Sequence, residues 1–588
     1  MVCGSAFLDD KVISVERSTS LGRQVVRVAI AATLLLALAI LLQIHAGAFD
    51  AEFGNDDRSH VVSGLVIYDY LTHGILAPGG PVSPIRFVTS FQSHYPLVGI
   101  GHWGPLYYGI EALWMMVFGP TRVALLLLSA VVTVIVALIT GQVVAKRSGD
   151  ILGMAVAAGL VLNGIFQEAS ASVMLDSAIA LCCSLAALSY AGFVARARTP
   201  GGGIGHAVLF GVLAGAGLLI KGNAACLALL PPLFLLIGRR FDLVRRWGFW
   251  LPLPVVLLLA GPWIVLTYKL VSQGFRYNWG LDYTSVAVPE NATFLLAAFG
   301  PVVVALAIAG LVQTCLTGGQ DRPYADPSNK AEQDNVAVAM AALLVSVCIF
   351  QAVAPAAIMD RYLASALPPL LIMAAHGFGV ARRTLDRMVR PRWRPRAGVL
   401  LMAFVFLSAT PSLWSATTLL LPSDLKDAAI AIWRYRIPAN PSVLIAAAAA
   451  EEGGAVAHLA LTDPARPSLF AIRGSRLLGG GGYNNSDYQA RYTTPEEIMA
   501  AIDKYAIPFE LVCVTPTGNR WQHLDLLNAA RIMAPDRWRL VWRSSEADPP
   551  IALYQIIGND TRAADVGQLM ALSAPQTLAN KATNRSGL

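Results

Sequence analysis

Residues 121–147 are TRVALLLLSAVVTVIVALITGQVVAKR. No charged side chain occurs between Arg122 and Lys146. This interval exceeds the roughly 20 apolar residues that a helix needs to cross a bilayer, so it predicts a membrane-spanning helix. Lys146 and Arg147 follow it directly, and basic residues of this kind mark the cytoplasmic side of a membrane.

The rest of the chain repeats this pattern. Hydrophobic residues make up 55% of the 588 residues and charged residues 14%, against roughly 25% charged residues in soluble proteins. This composition excludes disordered, fibrous and ordinary soluble classes. Apolar runs predict 11 crossings, near residues 25–44, 121–144, 151–166, 174–194, 205–222, 224–238, 247–270, 293–316, 334–355, 362–381 and 397–420.

Basic loops orient these predicted spans. With 11 crossings, five Arg- or Lys-rich segments fall on one side, which the positive-inside rule identifies as the cytoplasm. The formal net charge of +7 is then explained by loops, and no nucleic-acid partner is expected. Residues 45–120, 271–292 and 421–588 are predicted on the opposite side. Residues 105–119 are interpreted as an interfacial or partly inserted helix, because an extra crossing there would invert every later loop.

The C-terminal region changes character. Four short apolar runs predict strands at 442–449, 510–514, 538–543 and 551–556, and two helices are expected at 495–505 and 522–533. This alternation is typical of a small α/β domain. The predicted division is a transmembrane module at 1–420, with 45–120 as its first periplasmic loop, an α/β domain at 421–565 and a disordered tail at 566–588. The seven cysteines contain no CxxC pair and indicate neither a disulfide framework nor a zinc site.

Ionisable residues are rare in the middle of the spans and collect at the span ends opposite the basic loops. Each has an ordinary explanation alone: an acidic residue can cap a helix, and a lysine at a helix end can extend to water. Their shared sidedness instead favours a catalytic cleft at one membrane surface. The candidate site residues are Asp56, Asp57, His60, His102, Trp103, Asp176, Lys221, Arg361 and Tyr362.

These segments resemble the motifs of a known family. The sequence DDRSH at 56–60 resembles the acidic opening of the GT-C integral membrane glycosyltransferases, in the branch of the lipid A aminoarabinose transferase and the protein O-mannosyltransferases. HWGPLYY at 102–108 resembles that branch's E-K-P-P-L-x-Y-W motif. VMLD at 173–176, LLIKG at 218–222 and RYL at 361–363 resemble its second acidic, L-x-T-K-G and R-Y-L motifs.

The resemblance implies a GT-C-like polytopic α-helical membrane protein with about 11 transmembrane helices and a C-terminal periplasmic α/β domain. It implies an inverting enzyme that transfers a sugar from polyprenyl phosphate to a hydroxyl of a glycan or lipid acceptor. Asp56 would be the catalytic base, assisted by Asp57 and Asp176. Lys221, Arg361 and Tyr362 would bind the donor phosphate. The expected location is the bacterial inner membrane, multi-pass, with the site facing the periplasm.

Some points stay open at this stage. His102 and Trp103 replace the family's Glu-Lys, which leaves the acceptor and any metal undetermined, although His60, His102 and Trp103 remain candidates for contact with the acceptor. No cofactor is certain, and a divalent metal ion between Asp56 and Asp176 is one alternative. A protein acceptor is another. A transporter or lipid flippase is the alternative from a different class, but the chain shows neither paired halves nor midplane charges.

Overall fold

The computed structural model describes residues 6–54, 56–77, 79–197, 201–275, 277–318, 327–414, 420, 424–480, 488–513, 521–545 and 551–573. Up to residue 414 the described chain is mainly helical. The helices are α1 Ala6–His45, α2 Asp57–Asp69, α3 Pro84–His94, α4 Leu106–Phe118, α5 Arg122–Ser148, α6 Asp150–Val161, α7 Gly164–Ala171, α8 Asp176–Arg196, α9 Ile204–Leu218, α10 Leu230–Gly238, α11 Trp247–Trp250, α12 Pro252–Val271, α13 Leu281–Thr317, α14 Pro327–Val353, α15 Leu367–Met388 and α16 Arg394–Trp414.

The helices make this a multi-pass membrane protein. Within the described residues, eight helical segments are long and apolar enough to cross a bilayer. The pair α6 and α7, which bends by 58°, makes a ninth if the two helices form one broken span. The shorter apolar segments Ile204–Leu218 and Gly222–Gly238 account for the other two of the 11 predicted runs. Helix α13 begins inside the predicted loop 271–292, so that loop is shorter than expected.

Helices α13 and α15 pack against each other through glycines. A Cβ at Gly310 would collide with the carbonyl oxygen of Met373, and a Cβ at Gly377 would collide with that of Leu306. Small residues let two apolar helices bring their backbones into contact, which is how helices associate in lipid. This contact fixes α15 and, through it, the 3-10 helix Asp360–Ala366 that precedes it.

The C-terminal region is an α/β domain. Its elements are α17 Leu425–Tyr435, β1 Ser442–Ala447, α18 Ala449–Thr462, β2 Phe470–Arg473, α19 Gly474–Leu477, β3 Gly479–Gly480, β4 Gln489–Ala490, α20 Pro495–Lys504, β5 Phe509–Cys513, α21 Gln522–Met533, β6 Trp538–Arg543, β7 Ala552–Ile556 and α22 Val566–Ser573. The main sheet has the order β2-β1-β5-β7-β6. Strand β1 is parallel to β2 and β5, whereas β7 is antiparallel to β5 and β6.

All four predicted strands and both predicted helices of this domain are present. The predicted tail is partly wrong. Residues 566–573 form α22, and Leu569 is buried in the domain core, where it contributes apolar contacts that a disordered tail could not make. Residues 574–588 of the predicted tail lie outside the described part of the chain.

The chain divides into two compact units. The membrane unit comprises residues 1–46, 129–171 and 175–418, and the second unit comprises 47–128, 172–174 and 419–588. The predicted first loop therefore groups with the C-terminal domain and not with the membrane helices. Long-range polar contacts explain this grouping, because Arg466 donates to Asp69 at 2.8 Å and Tyr95 donates to Asp463 at 2.5 Å.

Candidate active site

In the membrane unit, Lys221 and Asp176 form a buried ion pair. Lys221 is extended, between the end of α9 and the 3-10 helix Gly222–Ala228, and Asp176 is the first residue of α8. The Lys221 ammonium donates to Asp176 Oδ1 at 2.7 Å. The two side chains are only 10% and 4% exposed, so Lys221 does not extend to water as a lone helix-end lysine would.

Two further candidates lie beside this pair. The Lys221 ammonium is 4.7 Å from the centre of the Tyr362 ring, within the range of a cation–π contact. The Arg361 guanidinium is 5.7 Å from the same ring centre. The 3-10 helix Asp360–Ala366 carries both residues, and Gln351 of α14 fixes it by donating to the Tyr362 carbonyl oxygen at 3.1 Å. The structure thus brings four predicted residues together as a cationic group.

In the second unit, Asp56 and Asp57 begin α2. Asp56 is the N-cap residue and Asp57 is the first residue of the helix. The Asp56 side chain makes no capping hydrogen bond, and its backbone oxygen accepts from the N–H groups of Ser59 and His60. Asp56 is half-buried, whereas Asp57 is 2% exposed. Of the two carboxylates, Asp56 is the more accessible to another molecule.

The Asp57 carboxyl has an unusual electrostatic environment. Its Oδ1 is buried and has no hydrogen-bond partner among the described residues. Burial raises the pKa of Asp57 from 3.8 to about 6, and the charge of Arg122 and backbone hydrogen bonds from Gly54 and Arg58 oppose part of that rise. Asp57 therefore changes protonation close to neutral pH.

The predicted aromatic and histidine residues of the second unit also come together. His60 Nδ1 lies 2.8 Å from the Tyr108 hydroxyl, and the His60 and Trp103 ring centres are 4.6 Å apart. His102 packs edge-on against Trp103 at 4.7 Å. His60 is one helical turn beyond Asp56, so this cluster lies next to the acidic start of α2.

Comparisons with known proteins extend this picture. No family model matches the sequence, and no curated protein sequence matches it either. Solved structures do match. ArnT from Cupriavidus metallidurans in the apo state is 13% identical, with a TM-score of 0.52 over 90% of this chain and 98% of that chain.

Two other structures agree with this match. ArnT bound to undecaprenyl phosphate is 12% identical, with a TM-score of 0.51 over 90% and 98% of the two chains. The apo oligosaccharyltransferase of Archaeoglobus fulgidus is 10% identical, with a TM-score of 0.50 over 82% of this chain and 69% of that chain. The chain has the GT-C fold. At these identities the likeness shows the fold alone.

Within this GT-C fold, several residues near the acidic helix start were not predicted as site residues. Arg122 is the main charge acting on Asp57. Tyr108 contacts His60 and was visible in the quoted HWGPLYY motif. Arg473 lies at the end of β2, and together with burial its charge lowers the pKa of Arg58, which follows Asp57 directly. No local sequence pattern could have associated Arg473 with α2.

Arg473 belongs to a hydrogen-bonded polar cluster at the carboxyl ends of the parallel strands. The buried Glu452 carboxylate accepts from Arg473 Nε at 2.7 Å and from the Ser475 hydroxyl at 2.6 Å. Gly453 follows Glu452, and a Cβ there would lie 2.5 Å from the Arg58 side chain. The C-terminal domain therefore contacts α2 directly beside Asp56 and Asp57, at the edge where parallel sheets commonly carry functional residues.

The residues present do not favour a metal at Asp176. Among the residues that the structure describes, no group of three or more His, Cys, Asp or Glu side chains could hold a metal ion. Asp176 already balances the Lys221 ammonium, and a divalent cation on the same carboxylate would be repelled by that charge.

Proposed function

We propose that the protein is an inverting glycosyltransferase that moves a sugar from a polyprenyl-phosphate donor to a hydroxyl of a periplasmic or membrane-anchored glycan or lipid. The observation that carries the proposal is the buried Lys221–Asp176 pair beside Tyr362 and Arg361. An ion pair buried among membrane helices is costly and commonly marks a functional site, which supports an anionic ligand beside Lys221. The similar ArnT structure holds undecaprenyl phosphate, a ligand of this chemistry.

The donor phosphate is the group that this cationic cluster suits. The Lys221 ammonium has three N–H donors and uses one on Asp176, which leaves two for phosphate oxygens. Arg361 can add paired N–H donors to the same phosphate. As the bond from the anomeric carbon to the phosphate oxygen breaks, negative charge grows on the leaving polyprenyl phosphate, and both cations stabilise it.

The acceptor needs a base. We assign this role to Asp56, because it is the accessible member of the acidic pair and Asp57 is 2% exposed. The acceptor oxygen forms the new bond to the anomeric carbon while its proton passes to Asp56. Attack from the side opposite the leaving phosphate inverts the anomeric centre. Asp57 and Arg122 support the helix start electrostatically, and His60, His102 and Trp103 contact the acceptor.

The acceptor can be a glycan, a lipid or a protein. A protein acceptor is the second candidate, because an Archaeoglobus fulgidus oligosaccharyltransferase structure of the same fold carries a tethered acceptor peptide, at a TM-score of 0.50 and 12% identity. We place the enzyme in a bacterial inner membrane with its site facing the periplasm. The basic loops support this orientation through the positive-inside rule.

A direct test uses the purified full chain in lipid nanodiscs with a panel of undecaprenyl-phosphate sugars labelled in the sugar. Release of undecaprenyl phosphate and labelled product in the presence of a membrane extract is the expected result. Undecaprenyl phosphate alone should also bind and raise the thermal unfolding midpoint. A chain that neither binds undecaprenyl phosphate nor consumes any member of the panel would remove the proposal.

Lys221→Met is the variant of choice, with Lys269→Met, an exposed lysine on α12, as its matched control. Loss of the Lys221 ammonium should slow transfer by about 10²–10³-fold, which is typical for removal of one donor to a developing anion. The control should transfer sugar at the normal rate. Equal rates in both variants would exclude Lys221 from the donor site.

A further inference from the structure

The membrane unit contains a second feature that the proposed chemistry does not use. A cavity of about 540 Å³ lies between α5, α8, α14 and α15. Among the described residues, its polar lining consists of Gln142, Lys146, Arg147, Ser148, Gln333 and His376. Its volume falls within the range of roughly 300–1,000 Å³ that is usual for small-molecule sites.

The cavity is distinct from the Lys221 cluster. On α8 it is lined by Leu188 and Gly192, which follow Asp176 by 12 and 16 residues. At 1.5 Å per residue this places it roughly 18–24 Å along the helix from the Lys221–Asp176 pair. The two features therefore lie toward opposite ends of the same helices, and one ligand headgroup cannot contact both.

The lining carries positive charge. None of the described residues that line the cavity is acidic. Arg147 lies beside Asp334, with 3.7 Å between Arg147 Nη1 and an Asp334 carboxylate oxygen. Lys146 is exposed and has no carboxylate within 4.0 Å among the described residues. Lys146 and Arg147 thus place two basic side chains at this end of α5.

The lining is also divided into a polar and an apolar part. Lys146 and Arg147 lie at the last turn of α5, whereas Ile139 and Val143 lie one to two turns deeper on the same helix. Val336 and Ile372 add apolar surface from α14 and α15. A molecule with an anionic head and a hydrocarbon portion would match both parts.

We propose that this cavity binds a phosphate-bearing headgroup. Basic residues mark the cytoplasmic ends of membrane helices, and the cytoplasmic leaflet carries anionic phospholipids that basic pockets between helices recognise. Lys146 and Arg147 contact the phosphate, Gln142 and Gln333 donate hydrogen bonds to it, and the apolar part accommodates the beginning of the acyl chains. The site is independent of the glycosyl-transfer proposal, because it involves none of the residues assigned there.

The same phosphate chemistry has two sources, a phospholipid of that leaflet or a soluble phosphate ester. The experiment uses the full chain in a neutral detergent and measures the shift of the thermal unfolding midpoint with dioctanoyl phosphatidylglycerol, glycerol phosphate or dioctanoyl phosphatidylcholine. A lipid site predicts the strongest binding for phosphatidylglycerol. Equal binding of glycerol phosphate would instead identify a soluble ester, and both results support the phosphate site.

Two variants decide whether binding occurs in this cavity. Lys146→Gln and Arg147→Gln should each weaken binding about fivefold, since one basic residue near an anionic lipid is worth about 1 kcal/mol. Arg245→Gln, an exposed basic residue elsewhere in the membrane unit, is the matched control and should leave binding unchanged. Lys146 is exposed, so its variant is expected to fold.

Two results would overturn the proposal. One is the absence of a midpoint shift with every probe. The other is an equal shift in wild type, Lys146→Gln, Arg147→Gln and Arg245→Gln, which would mean that the lipid binds by general surface charge. Val336→Trp, which fills the apolar part, should weaken phosphatidylglycerol but not glycerol phosphate. It therefore separates a lipid from a soluble ester without removing a charge.

Discussion

Two buried carboxylates begin helices in the two units, and their surroundings differ. Asp176 begins α8 and receives a hydrogen bond from the Lys221 ammonium at 2.7 Å. Asp57 begins α2, and its Oδ1 has no hydrogen-bond partner among the described residues. Arg122 acts on Asp57 through charge. Asp176 thus has a direct ion-pair partner, whereas the charge of Asp57 is only partly compensated.

This difference shows two ways to bury an acid. A direct ion pair offsets the desolvation cost with a short contact and keeps both groups charged. A buried carboxyl without a direct ion pair instead shifts toward its neutral form, which is the direction of the Asp57 pKa. The first arrangement suits a fixed charge that binds a phosphate, whereas the second produces a titrating group beside the proposed base.

The largest expected effect comes from replacing Asp56 and Asp57 of the second unit, one at a time, by asparagine. Asp56→Asn keeps the side-chain shape but removes the basic oxygen, so transfer should fall by about 10²–10⁴-fold. Asp57→Asn should be milder, because Asp57 is too buried to reach an acceptor. Initial rates with a saturating labelled donor, together with undecaprenyl phosphate binding as a folding control, measure both effects.

The opposite outcome is informative. If Asp57→Asn is inactive and Asp56→Asn is normal, the base assignment moves by one residue and helix α2 must open for catalysis. Normal rates in both variants would instead remove the acidic pair from the chemistry altogether.

The next largest effect is expected for the Lys221–Asp176 ion pair. Lys221→Met leaves Asp176 buried without a partner, which should destabilise the protein by about 3–5 kcal/mol in addition to its loss of transfer. The double variant Lys221→Met/Asp176→Leu removes both charges and should recover most of that stability. Thermal midpoints and undecaprenyl phosphate affinity are measured on the same preparations.

Comparison of the single and double variants distinguishes a structural role of Lys221 from a donor-binding role. Recovered stability without recovered donor affinity is the expected result, because the phosphate still lacks its cation. Recovery of both quantities in the double variant would show that Lys221 only neutralises Asp176.

Local patterns predicted much of this architecture, since apolar length determines a span and short apolar runs between turns determine a strand. Strand β6 has the predicted bounds 538–543. Strand β2 was not predicted, because its four residues end in an arginine and follow a proline-rich turn. Helix α18 begins in an alanine run that was interpreted partly as strand.

The site was harder to predict from the sequence than the fold was. Motif order named Asp176 and Lys221, but their direct contact joins residues 45 positions apart, and no periodicity encodes that distance. The Asp69–Arg466 contact spans 397 positions. Such pairs depend on how complete elements pack, so a pattern within one element cannot predict them.

The smallest expected effect concerns the pH dependence of stability, and it tests the partly compensated Asp57 carboxyl directly. The folded pKa of Asp57 lies at about 6, above its ordinary value of 3.8, so the folded state binds this proton more tightly than the unfolded chain. The stabilisation is complete below about pH 3.8 and is lost as pH rises through about 6. A shift of about two units corresponds to at most about 3 kcal/mol.

Asp57→Asn cannot titrate, so its thermal midpoint should rise relative to that of wild type between pH 4 and pH 7. Asp427→Asn, which removes an exposed carboxylate of the same unit, is the matched control and should follow wild type. Parallel curves for wild type and Asp57→Asn would mean that Arg122 compensates Asp57 as fully as Lys221 compensates Asp176, and the contrast between the two units would disappear.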